Sequence, residues 1–334
     1  MDYTIRFAKK DDTEEIMEFI DRYWRKDHIL SRNKTLFDWQ YGNADSDRLN
    51  IVLGIDENGD IQGMLGFVPY DTGSEKDIAL ALWKANPSTG FLGIKLIMFL
   101  FDNEPHREVV CPGINMDTTS KIYEHLGMSV GAMKQWYRLR EMDDYKIAKV
   151  TDPTIPAFET PNEPKKLTRL DTINDFDNTF DYKDEAYAKS IPLKSRAYIE
   201  KRYYDHPIYK YILYAASYDG NTADSVFVFR VQECNGSRAL RMIDCIGNRD
   251  SLRMITGEID RLLKEYDCEY IDVYEVGISD DVLEYAGWRR VEDEGNIIPD
   301  YFSPFEHRKV DIHYSISNAD AVLFKGDGDQ DRPN

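Results

Sequence analysis

Residues 80–127 constrain the fold of this chain more than any other stretch. An apolar strand pattern breaks at Pro87 into Ser88-Thr89-Gly90-Phe91-Leu92-Gly93, and that turn opens an apolar helix running through Phe101. A second strand pattern ends near Asn115, and a short helix carrying Tyr123 closes on Gly127. A polar glycine turn at the start of a helix is an anion cradle, because unpaired backbone N–H groups and the helix dipole both favour phosphate there. Tyr123, on the next crossover, is placed to protonate a leaving group, and a phenol holds its proton until a developing anion takes it.

A length of 334 residues exceeds the usual range of one core, so two domains are expected. A hydrophobic fraction of 42% predicts a packed globular chain. The formal charge of −19, with no Lys/Arg run longer than two, argues against nucleic acid and anionic membranes as partners. The N-terminal residues carry neither a basic region nor an apolar core, so no signal peptide is expected. The longest apolar run, residues 91–101, contains Lys95 and is too short to span a bilayer. Cys111, Cys234, Cys245 and Cys268 lack CxxC spacing and read as reduced thiols of a cytoplasmic protein. The six histidines are scattered without ligand spacing, so no metal site is expected.

Along the chain, residues 3–7 read as a strand, and Asp11-Asp12-Thr13 caps a helix with Ile16, Phe19, Ile20 and Tyr23 on one face. Residues 34–41 form a second short helix. Strands at 51–55 and 61–68 flank an Asn58-Gly59 hairpin turn. Residues 133–139 add a final strand to this first unit. From 141 to 166 the pattern lapses, and Pro153, Pro156, Pro161 and Pro164 mark a connector. Beyond it the order recurs: residues 198–204 echo 37–43, strands follow at 209–216, 225–232 and 239–246, and a helix spans 251–266. A strand at 270–276 and a helix at 279–286 close on Gly287, so EYAGW stands where EHLGM stands in the first half. The tail, residues 301–334, reads either as an ordered cap or as a loose end.

The order β-α-α-β-β-β-α-β-α-β, with its cradle and tyrosine helix, resembles the GNAT (GCN5-related N-acetyltransferase) superfamily. The resemblance implies an α/β mixed-sheet fold with two GNAT-like domains in tandem. They would cover residues 1–140 and 167–334, joined by the connector at 141–166. It implies acetyl-coenzyme A or another acyl-coenzyme A as donor, bound in the first half, with the diphosphate on Ser88, Thr89, Gly90 and Gly93. The family turn is Gln/Arg-x-x-Gly-x-Gly/Ala; here Ser88 holds its first position and Phe91 its middle glycine. Ser120-Lys121-Ile122-Tyr123-Glu124-His125-Leu126-Gly127-Met128 matches the family segment whose tyrosine protonates the coenzyme thiolate. Asn115 matches the asparagine that contacts the pantetheine arm.

No general base is assigned: Asp71, Glu75 and Asp77 read as loop carboxylates, and His28 and His125 as lone histidines. The second half has Gly247-Asn248-Arg249-Asp250-Ser251 in place of the cradle, and Asp250 sets a carboxylate where phosphate would rest. That half is expected to be structural or acceptor-binding. The resemblance to tandem proteins of bacterial surface-polysaccharide synthesis implies an amine acceptor such as an amino sugar. Two other readings stand beside this one. A non-catalytic binding or scaffold protein would keep the fold, and a Fem-like aminoacyltransferase would take its donor from tRNA. Oligomeric state stays open.

Overall fold

Two mixed sheets carry the chain, and each takes one strand from the other half. The computed structural model describes residues 2–43, 46–158, 160–292 and 294–333. The first sheet has the order β1-β2-β3-β4-β5-β14-β6. Its strands are β1 (Thr4–Lys9), β2 (Arg48–Ile55), β3 (Ile61–Pro69), β4 (Ile78–Ala85), β5 (Val109–Pro112), β6 (Ser129–Ala132) and β14 (His313–Ile316). The helices α1 (Thr13–Phe19), α2 (Ile29–Arg32) and α3 (Lys34–Tyr41) pack on one face through Ile16, Phe19, Leu36, Phe37 and Tyr41. The other face carries α4 (Leu92–Asn103) and α5 (Ser120–His125), through Leu92, Leu96, Leu100 and Tyr123.

The second sheet runs β13-β7-β12-β11-β10-β9-β8, with β15 (Leu323–Phe324) paired to β12. Its strands are β7 (Lys134–Leu139), β8 (Lys166–Leu170), β9 (Ile212–Ser217), β10 (Ser225–Cys234), β11 (Ser237–Gly247), β12 (Tyr270–Val276) and β13 (Arg289–Arg290). Four further short helices, α6 (Ile173–Thr179), α7 (Glu185–Ala188), α8 (Arg196–Ile199) and α10 (Asp280–Tyr285), accompany α9 (Thr256–Glu265). A π-helical turn, Glu200–Tyr204, continues α8. The helix expected over 251–266 is interrupted: a 3-10 turn, Arg249–Met254, precedes α9.

The strand expected to finish the first unit exists, but it hydrogen-bonds elsewhere. β7 pairs antiparallel with β12, from Leu139 opposite Tyr270 to Lys134 opposite Glu275. Its place beside β5 is taken by β14, whose Tyr314 pairs with Pro112 and whose Ile316 pairs with Val110. The chain therefore crosses between the sheets at Met133, and a boundary at residue 140 cuts through neither sheet cleanly. Trp136 shows why β7 is held: it is 1% exposed in the second core and its Nε1 donates to Glu275 at 3.1 Å.

The tail is an ordered core element. Lys325, Asp327, Asp329 and Asp331 are all more than nine-tenths buried. Each carboxylate finds a cation: Asp331 pairs with Arg230 at 2.7 Å, Asp329 with Arg332 at 2.7 Å, and Asp327 with Lys194 at 3.0 Å. Lys194 also grips Asp244 of β11 at 2.6 Å, and Lys325 pairs with Asp300. Burial of that many charges is tolerated because each is matched.

Both sheets contain a parallel pair that separates. β11 and β12 stay in register only from Leu240/Ile271 to Met242/Val273. The tail occupies the opening beyond, with Phe324 opposite Glu275 on β12 and the Gly326 amide on the Ile243 carbonyl of β11 at 2.8 Å. β4 and β5 pair only at Ile78/Val109 and Ala79/Val110. Past Ala79 that pair has no cross-strand register among the described residues.

Candidate functional site

The end of β4, the start of α4 and the crossover helix α5 surround this first split. β4 runs into a 3-10 turn, Pro87–Thr89, and Gly90 then reverses the chain with φ 61° and ψ −118°. That conformation belongs to glycine, since a Cβ there is strained whatever the free space. Phe91 becomes the N-cap of α4 without any side-chain cap hydrogen bond. The first helical bond runs from the Lys95 amide to the Phe91 carbonyl at 3.1 Å, which leaves the preceding amides of the first turn as donors without helical acceptors. Ser88 and Gly90 are exposed, and Phe91 is 77% exposed. The Thr89 hydroxyl is turned inward and donates to the Asn86 carbonyl at 2.5 Å, so Thr89 contributes to the turn's shape. Gly93 lies under Trp83, whose Nε1 donates to the Gly93 carbonyl at 3.2 Å.

Tyr123 stands at the narrow end of the same split. It is 3% exposed, meets Trp83 edge-on with ring centroids 5.5 Å apart, and hydrogen-bonds to the Cys111 thiol. Cys111, on β5, also takes a hydrogen bond from the Leu80 amide of β4. Burial pushes the Cys111 thiol up to about 12 and holds the Tyr123 phenol well above its ordinary value, so both are protonated at neutral pH. Trp83 thus bridges the cradle and the phenol. Sequence reasoning missed this residue because a tryptophan inside an apolar strand reads as core.

β4 also carries a bulge. Met64 pairs with Lys84 and Gly66 with Ala81, so Leu82 and Trp83 together oppose Leu65. Leu82 adopts φ 47°, unusual for a branched residue, and the bulge disrupts the amide ladder at mid-strand. Strand propensity conceals such a position in the sequence.

Asn115 lies past the end of β5 and is exposed. Its Oδ1 accepts from the Asp117 and Thr118 amides at 2.9 and 3.1 Å, so the carbonyl end of its side chain shapes the turn into α5. Gln330 of the tail donates to the Pro112 carbonyl at 3.1 Å beside it.

The acid and base candidates are spent or distant. Asp77 is 1% exposed rather than solvated, and Arg107 grips it with two bonds at 2.6 and 2.9 Å while the Leu193 amide donates at 2.7 Å. Asp71 and Glu75 are exposed loop residues. His28 caps α2 through Nδ1, and His125 is exposed on α5. Among the described residues no group of three or more His, Cys, Asp or Glu is arranged to hold a metal, and no helix is long and apolar enough to cross a membrane.

No protein-family model matches the sequence. No curated protein matches it either. Solved structures do. A conserved protein of Enterococcus faecalis V583, described as a probable N-acyltransferase, aligns over 87% of this chain and 70% of its own with TM-score 0.55 and 8% identity. A GCN5-related N-acetyltransferase from Anabaena variabilis ATCC 29413 aligns over 94% and 72% with TM-score 0.53 and 9% identity. The GCN5-related glucosamine N-acetyltransferase region of a fungal multi-domain GH3 β-N-acetylglucosaminidase aligns over 94% of this chain and 38% of that one, with TM-score 0.51 and 12% identity. The alignments cover most of this chain, and the chain shares the fold of GCN5-related N-acetyltransferase structures.

Proposed function

We propose that this protein is an acyl-coenzyme A-dependent N-acyltransferase that holds its donor in the first half. One observation carries the reading: an uncapped helix start opens outward at the wide end of an unpaired parallel split whose narrow end holds a protonated phenol. The diphosphate would rest on the amides between Gly90 and Gly93, with Ser88 adding a hydroxyl. The pantetheine arm would follow β4 into the split past Asn115. Amides at the Leu82 bulge suit the thioester oxygen.

In the reaction the acceptor nitrogen attacks the thioester carbonyl and the N–C bond forms. The C–S bond then breaks and the departing thiolate takes the Tyr123 proton, while the surplus proton of the amine passes to solvent. The acceptor is a small amine. The fold shared with a glucosamine N-acetyltransferase region supports an amino sugar, and acetyl is the simplest acyl group for a split bounded by Trp83, Leu80 and Cys111. Thiol release from acetyl-coenzyme A across a panel of amines, including glucosamine, tests the reading. Turnover with an amine and its loss in Tyr123→Phe support it; no thiol release with any amine contradicts it.

A binding or scaffold role is the second reading, favoured by the partnering of the Tyr123 hydroxyl with Cys111. A scaffold would keep its ligand in Tyr123→Phe and show no turnover in either form.

A further inference from the structure

At the opposite end of β4 from the cradle, a cleft of about 380 Å³ separates the two halves. The volume falls in the range of small-molecule sites. One wall is α3, with Trp39 and Gln40; the facing wall is α8 and its π turn, with Tyr198, Lys201 and Arg202; Gly328 of the tail closes the floor. The walls are tied together, since Trp39 Nε1 donates to the Lys201 carbonyl at 3.2 Å.

The charge of this cleft runs against that of the chain. Four cations line it, Arg48, Lys76, Lys201 and Arg202, against the carboxylates of Asp71 and Glu104. Glu104 is already shared by Arg48 at 2.7 Å and Lys76 at 2.9 Å. Arg202 gives its donors to the carbonyls of Gly326 and Asp331. Lys201 has no carboxylate partner among the described residues; its ammonium sits 5.9 Å from the Trp39 ring centroid, and burial depresses its pKa. A neutral group in the α3 wall is also unsatisfied. Gln40 Nε2 has no hydrogen-bond partner, and the residue is more than nine-tenths buried. An unmatched buried donor beside an unpaired cation is costly unless a ligand completes it.

We infer that this cleft binds a small organic anion, a carboxylate or phosphate on an apolar or ring-bearing body. The acid group meets Lys201 and Gln40 Nε2, and the body lies on Trp39. The site stands independently of acyl transfer. Taken with that reading, it says that the amine acceptor itself carries an acid group, because Gly328 lies at once on the floor of the cleft and against Ala79 and Pro112 at the β4–β5 split.

Calorimetry on the full chain without acyl-coenzyme A tests it, using benzoate and phenyl phosphate as probes and benzylammonium as the cationic control. Saturable binding of at least one anion, none of benzylammonium, and weakening of about tenfold or more in Lys201→Gln are expected. Gln40→Leu, which removes one donor from the site, is expected to weaken the same anion, and it carries the test should Lys201→Gln fail to fold. Neither anion saturating at about 10 mM, which corresponds to binding weaker than about −2.7 kcal/mol, overturns the inference. So does equal binding of benzylammonium, or affinity unchanged in all folded variants. Because no coenzyme is present, this outcome is separate from the fate of the acyltransferase reading.

Discussion

The Gly326 amide donates to the Ile243 carbonyl at 2.8 Å, and this bond closes the second parallel split with the chain's own tail. The equivalent opening between β4 and β5 has no such strand in it among the described residues. The proposed acyltransferase reading therefore predicts one donor site per chain. Titration with acetyl-coenzyme A is expected to saturate at one equivalent, and a stoichiometry of two would show that the β11–β12 split also opens.

Tyr123→Phe is expected to lower kcat by about 10²–10⁴-fold with little change in KM, because the phenol is assigned to proton transfer and not to donor binding. The phenyl ring keeps its place against Trp83, and only the hydroxyl bond to Cys111 is lost, so stability should fall by about 1 kcal/mol. Steady-state kinetics paired with urea unfolding separates the two effects.

Much of the scaffold was legible because local patterns agreed with the fold. Residues 34–41 form the short helix expected there, and 270–276 form a strand whose β-branched and aromatic residues outweigh Asp272 and Glu275. The turn into α4 was legible too, from Pro87, Gly90 and Gly93. The strand exchange was not, since Lys134–Leu139 has the same pattern in either sheet and only long-range pairing decides. The tail was hidden for another reason. Its polar sequence left an ordered cap and a loose end both open, and the cations of Asp327 and Asp331, Lys194 and Arg230, lie a hundred residues or more away in sequence. The cleft between the halves was invisible because Gln40 and Tyr198 belong to different domains.

Lys194→Met should destabilise the protein strongly. It leaves Asp244 and Asp327 facing each other in the core, with Tyr203 still bonded to Asp244 and no cation between them. Removing one member of a buried ion pair costs about 3–5 kcal/mol. Urea denaturation at pH 7 should show a lower midpoint with an unchanged slope, and a loss below about 1 kcal/mol would mean that the pair is solvated.

Stability is expected to decline as pH falls from about 6.5, the ordinary histidine value. Burial, aided by nearby arginines, depresses His28 to about 4 and His206 to about 3. The unfolded chain therefore takes up protons below 6.5 that the folded chain refuses until pH approaches 4, and the stabilisation present above 6.5 is lost across that window. His28→Asn keeps an acceptor for the Leu30 amide and removes one titrating group. Its melting temperature should change less between pH 7.5 and pH 5, as flagged by a shallower slope of roughly one proton fewer. Parallel slopes for the two proteins would contradict the assignment.

The central claim is that amides at the start of α4 receive a diphosphate, and Ser88→Glu tests it most directly. Ser88 is exposed, and a carboxylate there answers the helix dipole without disturbing the core. Calorimetric titration with acetyl-coenzyme A is predicted to show saturable binding to the unaltered chain and at least about tenfold weaker binding to Ser88→Glu at the same melting temperature. Absence of binding to the unaltered chain at millimolar coenzyme, or equal affinity in both, would contradict the account.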